Sequence, residues 1–175
     1  MLLPRIIPYL LIHKGGLYKT VNFKNPKYVG DPLNAVKIFN EKYVDELVII
    51  DIDATVENKI PNYTLIKNIA SQCRMPVCYG GGIKTVQQIE KIIGLGVEKV
   101  AISSAAINNP NLILEASRRV GSQSIAVVLD IKKGKIFQDK YNVCINNGKK
   151  ILKKNPKDLC FLFQRLGAGE LIINS

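Results

Sequence analysis

The sequence predicts an α/β protein built on a parallel sheet. Two observations carry this. Short apolar runs rich in Val, Ile and Leu recur along the chain without clean alternation, as strands covered on both faces do. Amphipathic stretches at helical spacing separate them, and strand–helix alternation of this kind implies parallel strands joined by right-handed crossovers. An open doubly wound sheet and part of a (β/α)8 barrel both fit. A complete barrel typically needs ~250 residues and eight strands, whereas this chain has 175 residues and six such runs.

The six expected strands are residues 5–12, 46–53, 76–81, 99–104, 124–130 and 170–174. Asp31-Pro32, Asn109-Pro110 and Asn155-Pro156 each place a capping side chain before a proline at a first helical position, so helices are expected to open there. A helix from Thr85 carries Val86, Ile89, Ile92 and Ile93 on one side and ends near Gly94 and Gly96. Residues 63–73 place Leu65, Ile66, Ile69, Ala70 and Cys73 at helical spacing. An insertion at 132–150 lengthens the fifth unit, where 135–139 and 141–145 are expected to pair as a hairpin. No linker is evident, so residues 1–175 read as one domain.

Composition narrows the class. The chain is 47% hydrophobic and 22% charged, an ordinary globular profile. No apolar run approaches the ~20 residues of a membrane span. The opening Met1-Leu2-Leu3-Pro4, followed by Arg5 and Pro8, is not a secretory signal. Cys73, Cys78, Cys144 and Cys160 lie at unrelated spacings, which suits a reduced, cytoplasmic chain without a zinc site. There is one histidine, which excludes chemistry that needs two.

The net charge of +11 asks for an acidic partner. Between Lys132 and Lys157 stand nine lysines and one acidic residue. No nucleic-acid-binding signature accompanies them, so this reads as a solvated hairpin and helix start rather than a nucleic-acid site. Phosphorylated metabolites are the acidic partners the rest of the chain favours.

In both architectures ligands bind beyond the carboxyl ends of the strands. Asp51 and Asp53 follow the second run, two residues apart and so expected on one face. Gly80-Gly81-Gly82 follows the third, freeing the backbone to aim N–H groups at a phosphate. Ser103 and Ser104 follow the fourth, and Asp130 ends the fifth, an acid or base candidate after an apolar strand. Gly-Gly-Gly-Ile is not the dinucleotide fingerprint, so no nicotinamide cofactor is expected.

Seven segments carry a wider likeness: Arg5-Ile6-Ile7-Pro8, Gly30-Asp31-Pro32, Asp45-Glu46-Leu47, Asp51-Ile52-Asp53-Ala54, Gly80-Gly81-Gly82-Ile83, Val120-Gly121-Ser122-Gln123-Ser124 and Gly167-Ala168-Gly169-Glu170. Together, and in order, they resemble the cyclase subunit of imidazole glycerol phosphate synthase, the HisF family. The resemblance implies a (β/α)8 TIM-type barrel made of two similar half-barrels. It implies a glutaminase partner that supplies ammonia and a bis-phosphorylated ribulosyl-aminoimidazole substrate. The products would be imidazole glycerol phosphate and an aminoimidazole carboxamide ribotide.

Carried over by position, the resemblance makes Asp130 a catalytic proton-transfer residue. Lys19 would hold substrate from a mobile first loop. Gly82, Ser103 and Ser104 would form one of two phosphate sites, although the family usually has Asn-Thr where this chain has Ser-Ser. Asp51 and Gly81, read from the strand ends themselves, join them as expected substrate contacts. Arg5, Glu46, Lys99 and Glu170 would form a ring of charges where ammonia enters, each satisfying the next in a partly buried cluster. No metal or other cofactor is implied.

Two departures stand out. The family's other catalytic aspartate ends the first strand, where this chain reads Leu10-Leu11-Ile12. That run, with Gly15-Gly16-Leu17-Tyr18-Lys19-Thr20, resembles a paralogous branch that works beside a glutaminase in surface-polysaccharide sugar biosynthesis. The sequence also stops at Ser175, before the family's Asp-Arg-Asp-Gly stretch. The expected architecture is therefore an incomplete barrel of about six strands and five helices: the first half-barrel and the start of the second. Its first and sixth strands would be open edges prone to self-association.

Overall fold

A computed structural model describes residues 4–21, 23–134 and 141–175. Its elements are β1 (Tyr9–His13), β2 (Gly16–Val21), β3 (Lys24–Gly30), α1 (Pro32–Lys42), β4 (Leu47–Asp51), α2 (Tyr63–Gln72), β5 (Val77–Gly80), α3 (Val86–Gly94) and β6 (Lys99–Ile102). There follow α4 (Ser104–Asn108), α5 (Asn111–Val120), a 3-10 turn at Ser122–Ser124, β7 (Ile125–Lys133), β8 (Tyr141–Ile145), β9 (Lys150–Leu152), α6 (Pro156–Arg165) and β10 (Glu170–Asn174). The chain divides into two compact units: Met1–Ile83 with Gln87–Val100, and Lys84–Val86 with Ala101–Ser175.

In the first unit the strands run in the order β3-β2-β1-β4-β5. β1, β4 and β5 are parallel, with Leu11 opposite Ile50, Ile12 opposite Asp51, and Ile49 opposite Tyr79. Alternation then puts Ile12, Leu47, Ile49, Asp51, Val77 and Tyr79 on one face and Leu11, His13, Ile50 and Gly80 on the other. Leu47, Ile49, Val77 and Tyr79 are buried, as are Val36 of α1, Ile66 and Ile69 of α2, and Ile89 and Ile92 of α3. Val48 and Cys78, on the opposite face, are buried as well, so these runs lack alternation because both faces of the strands are covered.

The second unit is organised around β7. β10 pairs with it in parallel from Glu170 opposite Ala126 to Asn174 opposite Asp130. β8 pairs antiparallel with the far end of β7, and β9 with β8. Ile125, Ala126, Val127 and Leu129 are fully buried, with Leu159 and Phe163 of α6 also in the core.

Among the described residues four antiparallel strands, β2, β3, β8 and β9, are added to the six expected in the parallel sheet, and β8 is the 141–145 strand of the expected hairpin. β2 follows β1 through a two-residue turn in which Lys14 and Gly15 have φ of 49° and 78°, the twist that suits a right-handed hairpin. β3 is exposed along almost its whole length and contains Pro26, which the edge position tolerates. β1 is therefore not an open edge, because β4 flanks it on one side and β2 pairs with its carboxyl end on the other. The expected partner of β8 at 135–139 lies outside the described residues; among those described, β8 pairs with the extension of β7.

Among the described residues six α-helices stand against the five expected, the addition being the short α4. Asp31 caps α1, accepting from the backbone of Leu33 and Asn34, and Asn155 caps α6 through Lys157. Asn109 does not cap α5. Pro110 itself takes the cap position with a helical backbone, which displaces the asparagine from that position.

Candidate functional site

At the amino end of the first unit's sheet, just before β4, Glu46 is 2% exposed and meets two cations through one oxygen. Lys99 Nζ lies 2.7 Å from Glu46 Oε2 and Arg5 Nη1 lies 3.1 Å from it. Asp45, next to it, accepts from the Ile6 backbone at 2.7 Å and so ties the entering chain to the start of β4. Three members of the sequence-predicted charge ring are therefore together. The fourth, Glu170, opens β10 in the second unit.

At the carboxyl end the two aspartates do different work. β4 stops at Asp51, and residues 52–58 form turns, so Asp53 does not share a strand face with Asp51. Asp51 Oδ1 accepts from the backbone of Asp53 at 2.9 Å and Ala54 at 3.0 Å, closing the turn. Burial raises its pKa against the pull of those bonds. Asp53 reaches instead to β1, where one oxygen meets His13 Nδ1 and the other accepts the Lys14 N–H, both at 2.7 Å.

The glycine turn has a packing role. A side chain at Gly81, whose φ is +115°, would strike the Asp51 backbone carbonyl, and one at Gly82 would meet Lys59 O at 2.7 Å. The Gly82 N–H, expected to face a phosphate, donates to Thr55 Oγ1 at 3.3 Å. Gly81→Ala is expected to cost roughly 1–3 kcal/mol from its backbone conformation alone. Urea denaturation would read this as a lower midpoint, and an unchanged midpoint would contradict it.

In the second unit Asp130 does not end its strand, because β7 runs on to Lys133 with β8 beside it. Asn174, its partner in the parallel register, donates to Asp130 Oδ1 at 2.7 Å. The Cys144 thiol donates to the Asp130 backbone carbonyl at 3.4 Å. Burial pushes the Asp130 carboxyl above its ordinary value, and the Asn174 bond and Lys132 charge only partly offset it. A carboxyl tuned this way holds a proton closer to neutrality, as an acid–base group must.

The Asn174 bond favours the ionised carboxylate, so its removal should raise the Asp130 pKa further. In Asn174→Leu the Asp130 limb of a pH–rate profile should move to higher pH. A downward shift would show that Asn174 favours the protonated form.

Among the described residues the buried Ser103 Oγ has no hydrogen-bond partner, and Ser103 precedes α4 without a side-chain capping bond. Ser104 is the first residue of α4. Lys19 stands exposed in β2, opposite Lys27, so its segment is an antiparallel strand rather than a loop. His13, Asn174 and Tyr79 escaped the sequence reading. The Tyr79 hydroxyl is buried; desolvation first, and then the Asp51 charge, raise its pKa against the opposing pull of the Asn62 backbone. Among the described residues no group of three or more His, Cys, Asp or Glu could hold a metal, and no helix is long and apolar enough to cross a membrane.

Residues 5–175 match the family model described as "Histidine biosynthesis protein". The chain belongs to that family. Its relatives are HisF proteins. It is 54% identical over 174 residues to the protein named hisF3 in Vibrio vulnificus, covering 99% of this chain and 66% of that one. It is 50% identical to a HisF protein of Leptospira interrogans, covering all of this chain and 68% of that one. To the imidazole glycerol phosphate synthase subunit HisF of Petrotoga mobilis it is 39% identical, over 100% of this chain and 69% of the relative. This HisF-like chain thus spans about two thirds of the length of the relatives it matches.

Proposed function

We propose that this HisF-like chain carries out ammonia-dependent cyclase-type lyase chemistry on a phosphorylated substrate, in a barrel-type domain across 1–175. A glutaminase subunit would supply the ammonia in the cytoplasm, and no cofactor is required. The observation that carries the reading is Asp130, a carboxyl raised by burial and steered by Asn174 at the position the family uses for proton transfer. Lys19, Asp51, Gly81, Gly82, Ser103 and Ser104 are the substrate and phosphate contacts of this reading, with Ser103 contributing a buried hydroxyl that has no hydrogen-bond partner among the described residues. Arg5, Glu46, Lys99 and Glu170 are its ammonia entrance. Self-association through strand edges belongs to it too, supported by the exposure of Leu171 and Ile173 on β10.

A second reading is favoured by Leu11, which has no proton to exchange where the family has an aspartate. In it the chain is a diverged or non-catalytic paralogue that partners a glutaminase in acetamidino-sugar biosynthesis for surface polysaccharide. One assay separates the two. Incubation with the bis-phosphorylated ribulosyl-aminoimidazole substrate and ammonium chloride should release aminoimidazole carboxamide ribotide under the first reading. Glutaminase binding without that product would support the second.

A further inference from the structure

The chain's one histidine occupies a built position. His13 is the last residue of β1, on the same face as Leu11 and one step, ~7 Å, nearer the carboxyl end. Its Nδ1 meets Asp53 Oδ1 at 2.7 Å. The second Asp53 oxygen is fixed by the Lys14 N–H, itself held in the tight turn after β1. The Tyr18 ring, on β2, stands edge-on to the imidazole at 4.9 Å between centroids, and Tyr28 on β3 backs Tyr18 at 5.5 Å. The side chains of His13 and Asp53 are 20% and 17% exposed, half-buried but reachable. The imidazole is thus oriented by a carboxylate and an aromatic ring.

The chemistry of the pair follows from what each group can do. Partial burial pushes the Asp53 carboxyl up, but the Lys14 N–H, His13 and Lys59 outweigh it and hold it below the ordinary value. An ionised carboxylate only accepts, so Nδ1 must carry the proton and the neutral ring keeps its lone pair on Nε2. Nε2 has no partner among the described residues. The charged and titratable groups around the pair are Lys14 in the turn, Tyr18 on β2, and Asp51, Glu57 and Lys59 after β4, with Lys59 paired to Glu57. None of them occupies Nε2.

We propose that His13 is a proton-transfer residue of this chain, with Nε2 the reacting atom and Asp53 its positioning residue. The proposal rests on the ammonia-dependent reading above. When ammonia adds to an electrophilic carbon of the substrate, the new ammonium nitrogen loses one proton. Its N–H bond breaks, the electron pair stays on nitrogen, and an Nε2–H bond forms. The imidazolium is balanced by the Asp53 carboxylate and returns that proton to the alkoxide oxygen left on the same carbon, giving a neutral amine and hydroxyl. Leu11, on the same face, can do neither step.

Two measurements test this separately. In protein labelled with 15N-histidine one imidazole is observed, and its tautomer reads the pair without any turnover. The neutral ring should carry its proton on Nδ1 in the wild type and revert to Nε2–H, the form free histidine prefers, in Asp53→Ala. Nε2–H in the wild type would overturn the proposal even if the protein proved inactive on the substrate offered. The second measurement is ammonium-dependent turnover. His13→Ala should lower kcat by about 10²–10⁴-fold, with KM little changed, and added imidazole should restore part of it. Asp53→Ala should lose less and gain nothing from imidazole. His13→Gln, closer in size, should be as slow as His13→Ala if proton transfer is the cause. Wild-type turnover in either folded His13 variant would overturn the role. Loss of turnover in the wild type itself would remove the ammonia reading, while the tautomer still decides the pairing.

Discussion

Asp130→Asn should reduce ammonia-dependent turnover by about 10²–10⁴-fold, the usual contribution of a positioned acid or base. The substitution changes almost no volume. It keeps an oxygen able to accept from Asn174, whose Nδ2 now donates to Oδ1 at 2.7 Å. What is lost is the ability to take and release a proton, along with a charge that burial already makes costly. The loss should therefore fall on kcat with thermal stability unchanged or slightly raised. Steady-state kinetics beside a melting curve would check both parts. Turnover at the wild-type rate would remove Asp130 from the mechanism.

The largest stability effect is expected at the other end of the first unit's sheet. Glu46→Ala should cost roughly 3–5 kcal/mol, the range for breaking a buried ion pair from one side. Glu46 is fully buried and Lys99 nearly so, while Arg5 is half exposed and can turn to water. Most of the loss should thus come from the lysine. Replacing both partners, as Glu46→Leu with Lys99→Met, should recover much of it, because two apolar groups need no compensation there. Chemical denaturation of the three proteins would decide. A change below about 0.5 kcal/mol in Glu46→Ala would place it in the range of surface pairs.

How far the sequence led depended on how strongly burial wrote itself into the residues. Leu47 to Ile49, Val77 to Tyr79 and Ile125 to Leu129 are buried on both sides, so their unbroken apolar character named them as strands. β3 gave no such signal, because nearly every residue in it is exposed and Pro26 argues against a strand anywhere but at an edge. The β1–β2 turn was hidden for another reason. Lysine rarely takes the first positive-φ position of a tight hairpin, and here the Asp53 carboxylate holds its N–H in place.

The candidate site divided along similar lines. Asp130 was visible as a carboxylate after an apolar strand, but Asn174 became its partner only through the register of β10 on β7. Asp51 and Asp53 were legible as residues and misread as geometry, because the strand ends between them and their carboxylates serve different segments. Gly81 and Gly82 read from sequence as a phosphate cradle, and the fold adds a second demand on them. Their absent side chains make room for the Asp51 and Lys59 carbonyls, a demand from a distant loop that spacing alone does not encode. His13 was passed over because a single histidine suggests no metal site, and only the fold brings Asp53 to it.

On the proposed function, this chain directs ammonia onto a phosphorylated substrate. The most direct test is release of aminoimidazole carboxamide ribotide from the bis-phosphorylated ribulosyl-aminoimidazole substrate, with ammonium chloride as nitrogen source and no glutaminase present. At fixed total ammonium the wild-type rate should rise with pH as free ammonia increases, and Asp130→Asn should show almost none of it. Wild-type protein that is folded and binds the substrate, yet releases no ribotide at any ammonia concentration, would contradict the claim.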